Sequence, residues 1–154
     1  MIVPAQVEDL PTVKMLFSEY ASSLGIDLSF QDFNRELAEL PGEYAPPNGS
    51  ILIARKESEA VGCVAMRCIS NEICEMKRLY VRPRFRRKGL GKRLAVSAIQ
   101  EAKRRDYHRM RLDTLPSMRE ALALYESLGF RQISPYRYNP IQGAVFLELD
   151  LSII

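Results

Sequence analysis

At 154 residues the chain has the length of one compact domain, and its 47% hydrophobic and 27% charged residues are typical of an ordered globular protein. No apolar run nears the roughly 18 residues that span a bilayer. "MIVPAQVEDL" also lacks the basic start and long apolar stretch of a secretion signal, so the expectation is a cytoplasmic protein that does not engage a membrane. Cys63, Cys68 and Cys74 lie in apolar, strand-like sequence without metal-ligand spacing, and His108 is the only histidine. Reduced thiols and no metal are therefore expected. The net charge is +3 while residues 82–93 alone carry +7, so the rest of the chain sums to −4. A field that local suits a compact anionic ligand, whereas nucleic-acid binders spread basic residues along a face.

In chain order, Met1–Ala5 reads as a short strand. Asp9 is placed to N-cap a helix with Leu10, Val13, Leu16, Phe17, Tyr20 and Leu24 on its apolar face, ended by Gly25. Ser29 is placed to cap a second helix bearing Phe30, Phe33, Leu37 and Leu40. Residues 41–50 form a Pro/Gly-rich loop. Apolar strands follow at 51–56 and 60–69, joined by a polar turn at 57–59, and a third strand at 72–81 stops at Pro83. Residues 89–105 are helical and 109–115 read as a strand. Residues 117–130 carry a strong helix signal, with a Ser117/Glu120 capping box and Gly129 past the end. Residues 130–133 and 144–151 close the sheet. The order β-α-α-β-β-β-α-β-α-β-β predicts one α/β domain over 1–154, a mixed sheet with helices on both sides. Residues 72–115 should form a parallel strand pair with a right-handed crossover helix.

The basic segment sits between a strand and that crossover helix, where free backbone N–H groups and the helix dipole attract anions. Gly89 and Gly91 let a ligand approach the backbone closely. A P-loop is excluded because positions 86 and 93 are both arginine, and the dinucleotide fingerprint fails because its third glycine is Leu94. What remains is Arg86-x-x-Gly89-x-Gly91 after "LYV" (79–81), followed later by "LYESLGF" (124–130). The pair resembles the acetyl-CoA pyrophosphate loop and the late helix and strand of the GCN5-related N-acetyltransferase (GNAT) superfamily, over about residues 60–150.

The resemblance implies a mixed sheet of about six to seven strands, mostly antiparallel with a central parallel pair, flanked by about four helices. It implies acetyl-CoA as donor and a small-molecule or peptide primary amine as acceptor, attacking directly in a ternary complex. The pyrophosphate falls to Arg86, Arg87, Lys88, Gly89, Leu90, Gly91 and Lys92. The pantetheine arm falls to the strand end Leu79, Tyr80 and Val81, where a main-chain N–H also polarises the acyl oxygen. Tyr125 matches the tyrosine that protonates the departing thiolate. Glu75 matches the glutamate that serves some members as general base, with a carboxyl pKa raised near an apolar pocket; the competing reading is a strand-face glutamate paired with Lys77 or a neighbouring strand's Arg, and proton removal through water is the alternative mechanism. Lys77, Asp113 and Tyr138 are candidate acceptor contacts, against the competing readings of surface charge, turn and loop packing. Arg82 and Arg84 are left to the CoA 3′-phosphate or to solvent. Members commonly carry Asn where this chain has Met118, which puts one cofactor contact in doubt. Homodimers, common in the family, are neither shown nor excluded by the sequence. The rival reading is a non-catalytic acyl-CoA-binding module. A nucleic-acid binder is disfavoured, since no aromatic stacking platform accompanies the basic cluster.

Overall fold

The computed structural model describes residues 1–25, 27–29 and 32–152. Its elements are β1 (Ile2–Pro4), α1 (Leu10–Leu24), α2 (Phe33–Glu39), β2 (Ser50–Lys56), β3 (Glu59–Ser70), β4 (Ile73–Val81), α3 (Leu90–Arg104), β5 (Arg109–Thr114), α4 (Arg119–Ser127), β6 (Arg131–Ile133) and β7 (Val145–Asp150). The seven strands form one sheet in the order β1-β2-β3-β4-β5-β7-β6. Every neighbouring pair is antiparallel except β4 and β5, which α3 connects as the crossover. Among the described residues no helix is long and apolar enough to cross a membrane.

The central strands read as apolar runs because both sheet faces are covered. On one face Val13, Leu16 and Phe17 of α1, with Leu28, Phe33 and Tyr44, pack on Ile51, Ile53, Cys63 and Ala65. On the other face α3 presents Leu94, Ala95, Ala98, Ile99 and Ala102 at helical spacing to Val64, Met66 and Met76. Burying a Leu or Ile side chain there stabilises by about 1.5–3 kcal/mol.

Two expected helix starts differ, and a third lacks its expected side-chain cap. The first described residue of α2 is Phe33, with Asp32 rather than Ser29 at its N-cap; the predicted Phe30 lies outside the described residues. α4 starts at Arg119 behind Met118, and the Ser117/Glu120 box does not form. The chain turns first, with the Met118 N–H bonded to the Leu115 carbonyl at 3.0 Å, which carries Ser117 past the capping position. Asp9 precedes α1 but caps nothing in it: its carboxylate accepts the Gln6 N–H at 2.8 Å and pairs with Arg55 at 2.9 Å. The helix stops Gly25 and Gly129 are both left-handed, at φ 67° and 101°.

β4 is irregular where it matters. Cys63 pairs with Tyr80 and Ala65 with Lys77, so Arg78 and Leu79 together oppose Val64. This is a β-bulge, with Arg78 at φ 61°, a conformation that costs a non-glycine residue about 1–2 kcal/mol. Strict alternation would set Arg78 apart from Lys77. The bulge instead sends Arg78 to the α1/α2 face, where it bonds Glu36, and Leu79 to the α3 face.

Candidate active site

The parallel ladder between β4 and β5 spans only Ile73↔Arg109, Cys74↔Met110 and Glu75↔Arg111. Beyond Glu75 the strands part, because a bulge bends the strand that carries it. The gap is lined by Met76, Lys77 and Leu79 from β4, Leu112 and Asp113 from β5, and Tyr125 from α4. A wider groove of about 1240 Å³, counting its open side, continues past Leu79–Val81 and Arg86 on one wall and Ser117–Ala121 on the other.

The groove reaches the basic loop. Gly89 N-caps α3 in the left-handed region at φ 80°. Among the described residues the amides of Arg87, Lys88, Gly89, Leu90, Gly91 and Lys92 have no backbone acceptor; the first backbone bond of α3 is Arg93 N–H to Gly89 O at 3.1 Å. A Cβ on Gly89 would meet nothing within 4 Å, so space lies open over the helix start. Arg87, Lys88, Lys92 and Arg93 are exposed, and no carboxylate among the described residues pairs with them. A row of unsatisfied amides, unpaired cations and open space fits a pyrophosphate. The unpaired edge of β4 at Leu79–Val81 fits an amide-bearing arm. The residues present therefore suit CoA.

The seven charges of the opening cluster divide. Arg82 is spent inside the protein: Nε and NH2 hold Glu19 at 3.0 and 2.8 Å, and NH1 donates to Ala60 O at 2.9 Å. Arg84 stacks on Phe85 at 5.1 Å. The Arg86 side chain folds back, Nε donating to Val81 O at 2.8 Å. Its contribution to a ligand is thus through position rather than a free guanidinium.

Tyr125 is 7% exposed, packs against Phe130 at 5.6 Å and borders the gap. Burial pushes its phenol pKa above 10, so the hydroxyl keeps its proton at neutral pH. Met118, at the position often held by Asn, borders both parts of the cleft and takes a weak Thr114 hydroxyl contact at 3.7 Å.

Glu75 is 0% exposed. Its carboxylate accepts Arg67 Nε at 2.9 Å and the Tyr136 hydroxyl at 2.6 Å, and pairs with Arg137 NH2 at 2.5 Å. Burial alone would raise its pKa, but Lys77, Arg137, Arg67 and the Tyr136 bond outweigh burial and hold it below the usual carboxylate value. The raised pKa expected of a base is absent, and Glu75 does not border the gap. Lys77 does, at 7% exposure. Burial first, then Arg78, pull its ammonium pKa down to about 7, against the opposing pull of Glu75.

Asp113 borders the gap and accepts Asn139 Nδ2 at 3.0 Å. Tyr138 is not brought to the site: it is 74% exposed and borders neither part of the cleft. Its neighbours Tyr136, Arg137 and Asn139 turn inward instead. Sequence reasoning missed Arg67, Arg137 and Glu36. Arg67 was the findable one, as the cross-strand partner of Glu75. His108 lies on the surface beside Glu72, and the buried thiols of Cys63 and Cys74 are pushed up in pKa by burial, Cys74 to about 12. A thiol relay has no support there.

A splayed parallel pair, with a helix start of open amides at one end and a protonated tyrosine inside, suits an acyltransferase. The sequence profile of the acetyltransferase (GNAT) family matches residues 13–130. An uncharacterized N-acetyltransferase of Schizosaccharomyces pombe is 44% identical over 147 residues, covering 94% of this chain and 90% of that protein. The N-acetylaspartate synthetase of Danio rerio is 31% identical over 140 residues, covering 88% of this chain and 50% of that protein. The crystal structure of the PaiA N-acetyltransferase from Thermoplasma acidophilum, in complex with coenzyme A, superposes with a TM-score of 0.74 at 19% identity, over 97% of this chain and 98% of that one. The chain belongs to the GNAT family and is an N-acetyltransferase.

Proposed function

We propose that this chain, as one domain over 1–154, transfers the acetyl group of acetyl-CoA to the primary amine of a small, amino-acid-like acceptor. The observation that carries the reading is the gap between β4 and β5, which joins Tyr125 to the groove leading to the α3 start. Bound there, the donor supplies an acyl carbon already activated as a thioester. The amides of Arg87–Lys92 hold its pyrophosphate, and the open edge at Leu79–Val81 binds its amide arm. The acceptor attacks directly within the ternary complex. Tyr125 keeps a proton at its hydroxyl oxygen for the leaving sulfur. The gap's walls orient the acceptor and exclude water.

The acceptor class follows from the two walls. Lys77 lines the gap from β4 and Asp113 from β5, and Leu112, Leu115 and Met76 line it as well. A lysine and a carboxylate in one partly apolar gap suit a molecule carrying both an amine and a carboxylate, since a bound carboxylate favours the charged form of Lys77. The relative's name, N-acetylaspartate synthetase, records an N-acetylated amino acid as the product there. Three free thiols fit a reducing, cytoplasmic setting. The test is CoA-thiol release from acetyl-CoA over a library of amino acids, simple amines, polyamines and peptides, with product masses. Amino acids are expected to outpace amines lacking a carboxylate. Faster turnover of plain amines would move the acceptor class, and no thiol release from any amine would overturn the reading.

A further inference from the structure

The β3–β4 hairpin sets two cysteines directly opposite each other. Cys68 on β3 is the register partner of Cys74 on β4, one rung beyond the Arg67–Glu75 pair. The Cα atoms of directly opposed antiparallel residues lie about 4.5 or 5.5 Å apart. A disulfide needs roughly 4.4–6.8 Å, so this rung is one that a disulfide spans without moving the backbone. We propose that Cys68 and Cys74 form a peroxide-responsive modification site, in which the exposed thiol is oxidised first and the buried one resolves it as a reversible cross-strand disulfide.

Three observations carry it. The two side chains share a sheet face: Met66 and Cys74 pack in the core beneath α3, and Cys68 follows Met66 by two residues along β3. Both thiols also act on one hydroxyl. Tyr107, buried just after α3, has its phenol pKa pushed up first by burial and then by Cys68 and Cys74. Finally, their exposure differs, since Cys68 is exposed while Cys74 is 0% exposed. Burial pushes the Cys74 thiol up to about 12, with Cys68 adding to the rise, so it stays protonated and inert to the oxidant on its own. That asymmetry sets the order of events. Each thiol bonds a backbone carbonyl, Cys68 that of Ser70 at 3.0 Å and Cys74 that of Arg109 at 3.6 Å, so joining them requires rotation about the Cα–Cβ bonds. Cys63 lies across the sheet from the pair, buried on the α1/α2 face with its thiol on Arg78 O at 3.4 Å.

The chemistry balances. The Cys68 sulfur attacks one oxygen of hydrogen peroxide, the O–O bond breaks, and water leaves with the thiol proton, so the sulfur carries a hydroxyl as sulfenic acid. The Cys74 sulfur then attacks the Cys68 sulfur. The S–O bond breaks, the S–S bond forms, and the Cys74 proton leaves with the hydroxyl as a second water. An external dithiol reverses the bond by exchange. Without Cys74, more peroxide would carry the sulfenic acid on to sulfinic acid, which a dithiol does not reduce. The buried cysteine thus protects the exposed one. Neither lines the cleft, so the site is separate from that of acetyl transfer.

The test uses the full chain, reduced and then treated in native buffer with a small molar excess of hydrogen peroxide. It is quenched, alkylated with iodoacetamide under denaturing conditions, cleaved with trypsin and weighed by mass spectrometry. Both cysteines fall in one tryptic peptide, Cys68–Lys77. That peptide should escape alkylation, weigh two hydrogens less than its dithiol form, and become alkylatable after dithiothreitol, while Cys63 is alkylated throughout. Further cleavage after Glu72 should leave two fragments joined until they are reduced. Cys74→Ala should accumulate sulfinic acid at Cys68, and Cys68→Ser should leave Cys74 alkylatable. Should either variant fail to fold, the wild-type peptide decides. Sulfinic acid at wild-type Cys68 with Cys74 still a thiol, a disulfide to Cys63 or to a second chain, or a peptide that stays fully alkylatable overturns the proposal.

Discussion

Gly89→Val separates what the basic loop does for folding from what it does for a ligand. Gly89 sits at φ 80°, and a Cβ there meets no protein atom within 4 Å. The folded protein therefore suffers backbone strain without a clash, about 2 kcal/mol for a β-branched residue in the left-handed region. At about 2.1 cal/mol/K per residue, 154 residues unfold with roughly 0.3 kcal/mol/K, so the melting temperature should drop by roughly 6 °C. The valine also fills the space over the amides of Arg87–Lys92. Calorimetric titration with CoA should show affinity lost at least tenfold, about 1.4 kcal/mol or more. Arg84→Ala is the control, since Arg84 lies on Phe85 and outside the groove, and it should weaken binding only slightly. Equal loss in the two variants, or a Gly89→Val protein that melts lower yet binds CoA normally, would refute the assignment of the pyrophosphate to this loop.

Tyr125→Phe should lower kcat by about 100-fold. It should leave stability unchanged or slightly raised by thermal melting, because the hydroxyl makes no hydrogen bond among the described residues. Glu75→Ala removes the buried carboxylate that Arg137 and Arg67 share, leaving Arg67 only its Glu43 partner, and should destabilise by about 3–5 kcal/mol in urea denaturation, a loss on the scale of unfolding rather than of catalysis alone. Lys77 makes stability rise with pH. Its folded pKa is about 7 and its unfolded value 10.5, so the unfolded chain binds the extra proton between those limits, and stability gained on raising pH through that window is of order 4–5 kcal/mol. Lys77→Met should lose that slope, and denaturation at pH 7 and pH 10 would show it; an unchanged difference between the two proteins would place Lys77 as an ordinary cation.

Among the described residues the order of the eleven strands and α-helices was legible because each carries its own periodicity, and the strand–loop–helix setting of Arg86–Lys92 was legible because its glycines, charges and flanking elements are contiguous. The charge environment of the cleft was not. Arg78 changes face through a bulge that alternation cannot anticipate, and its φ of 61° is held by a glutamate on α2. Glu75 was read as a general base with a carboxyl pKa raised near an apolar pocket, because Arg67 of β3 and Arg137 of the segment before β7 are brought to it only by the fold. Those partners hold its pKa low rather than raised. Tyr138 failed for the opposite reason: in "PYRYNP" the residues on either side of it turn inward while it faces solvent.

Incubation of the chain with acetyl-CoA labelled with 13C at the acetyl carbonyl and a mixture of amino acids, followed by carbon NMR, tests the central claim most directly. The label should leave the thioester and appear in the carbonyl of an N-acetyl amide of a free acceptor, with CoA released in equal amount. Label that stays in the thioester, or that accumulates on a cysteine of the chain, would contradict direct transfer to an amine in this cleft.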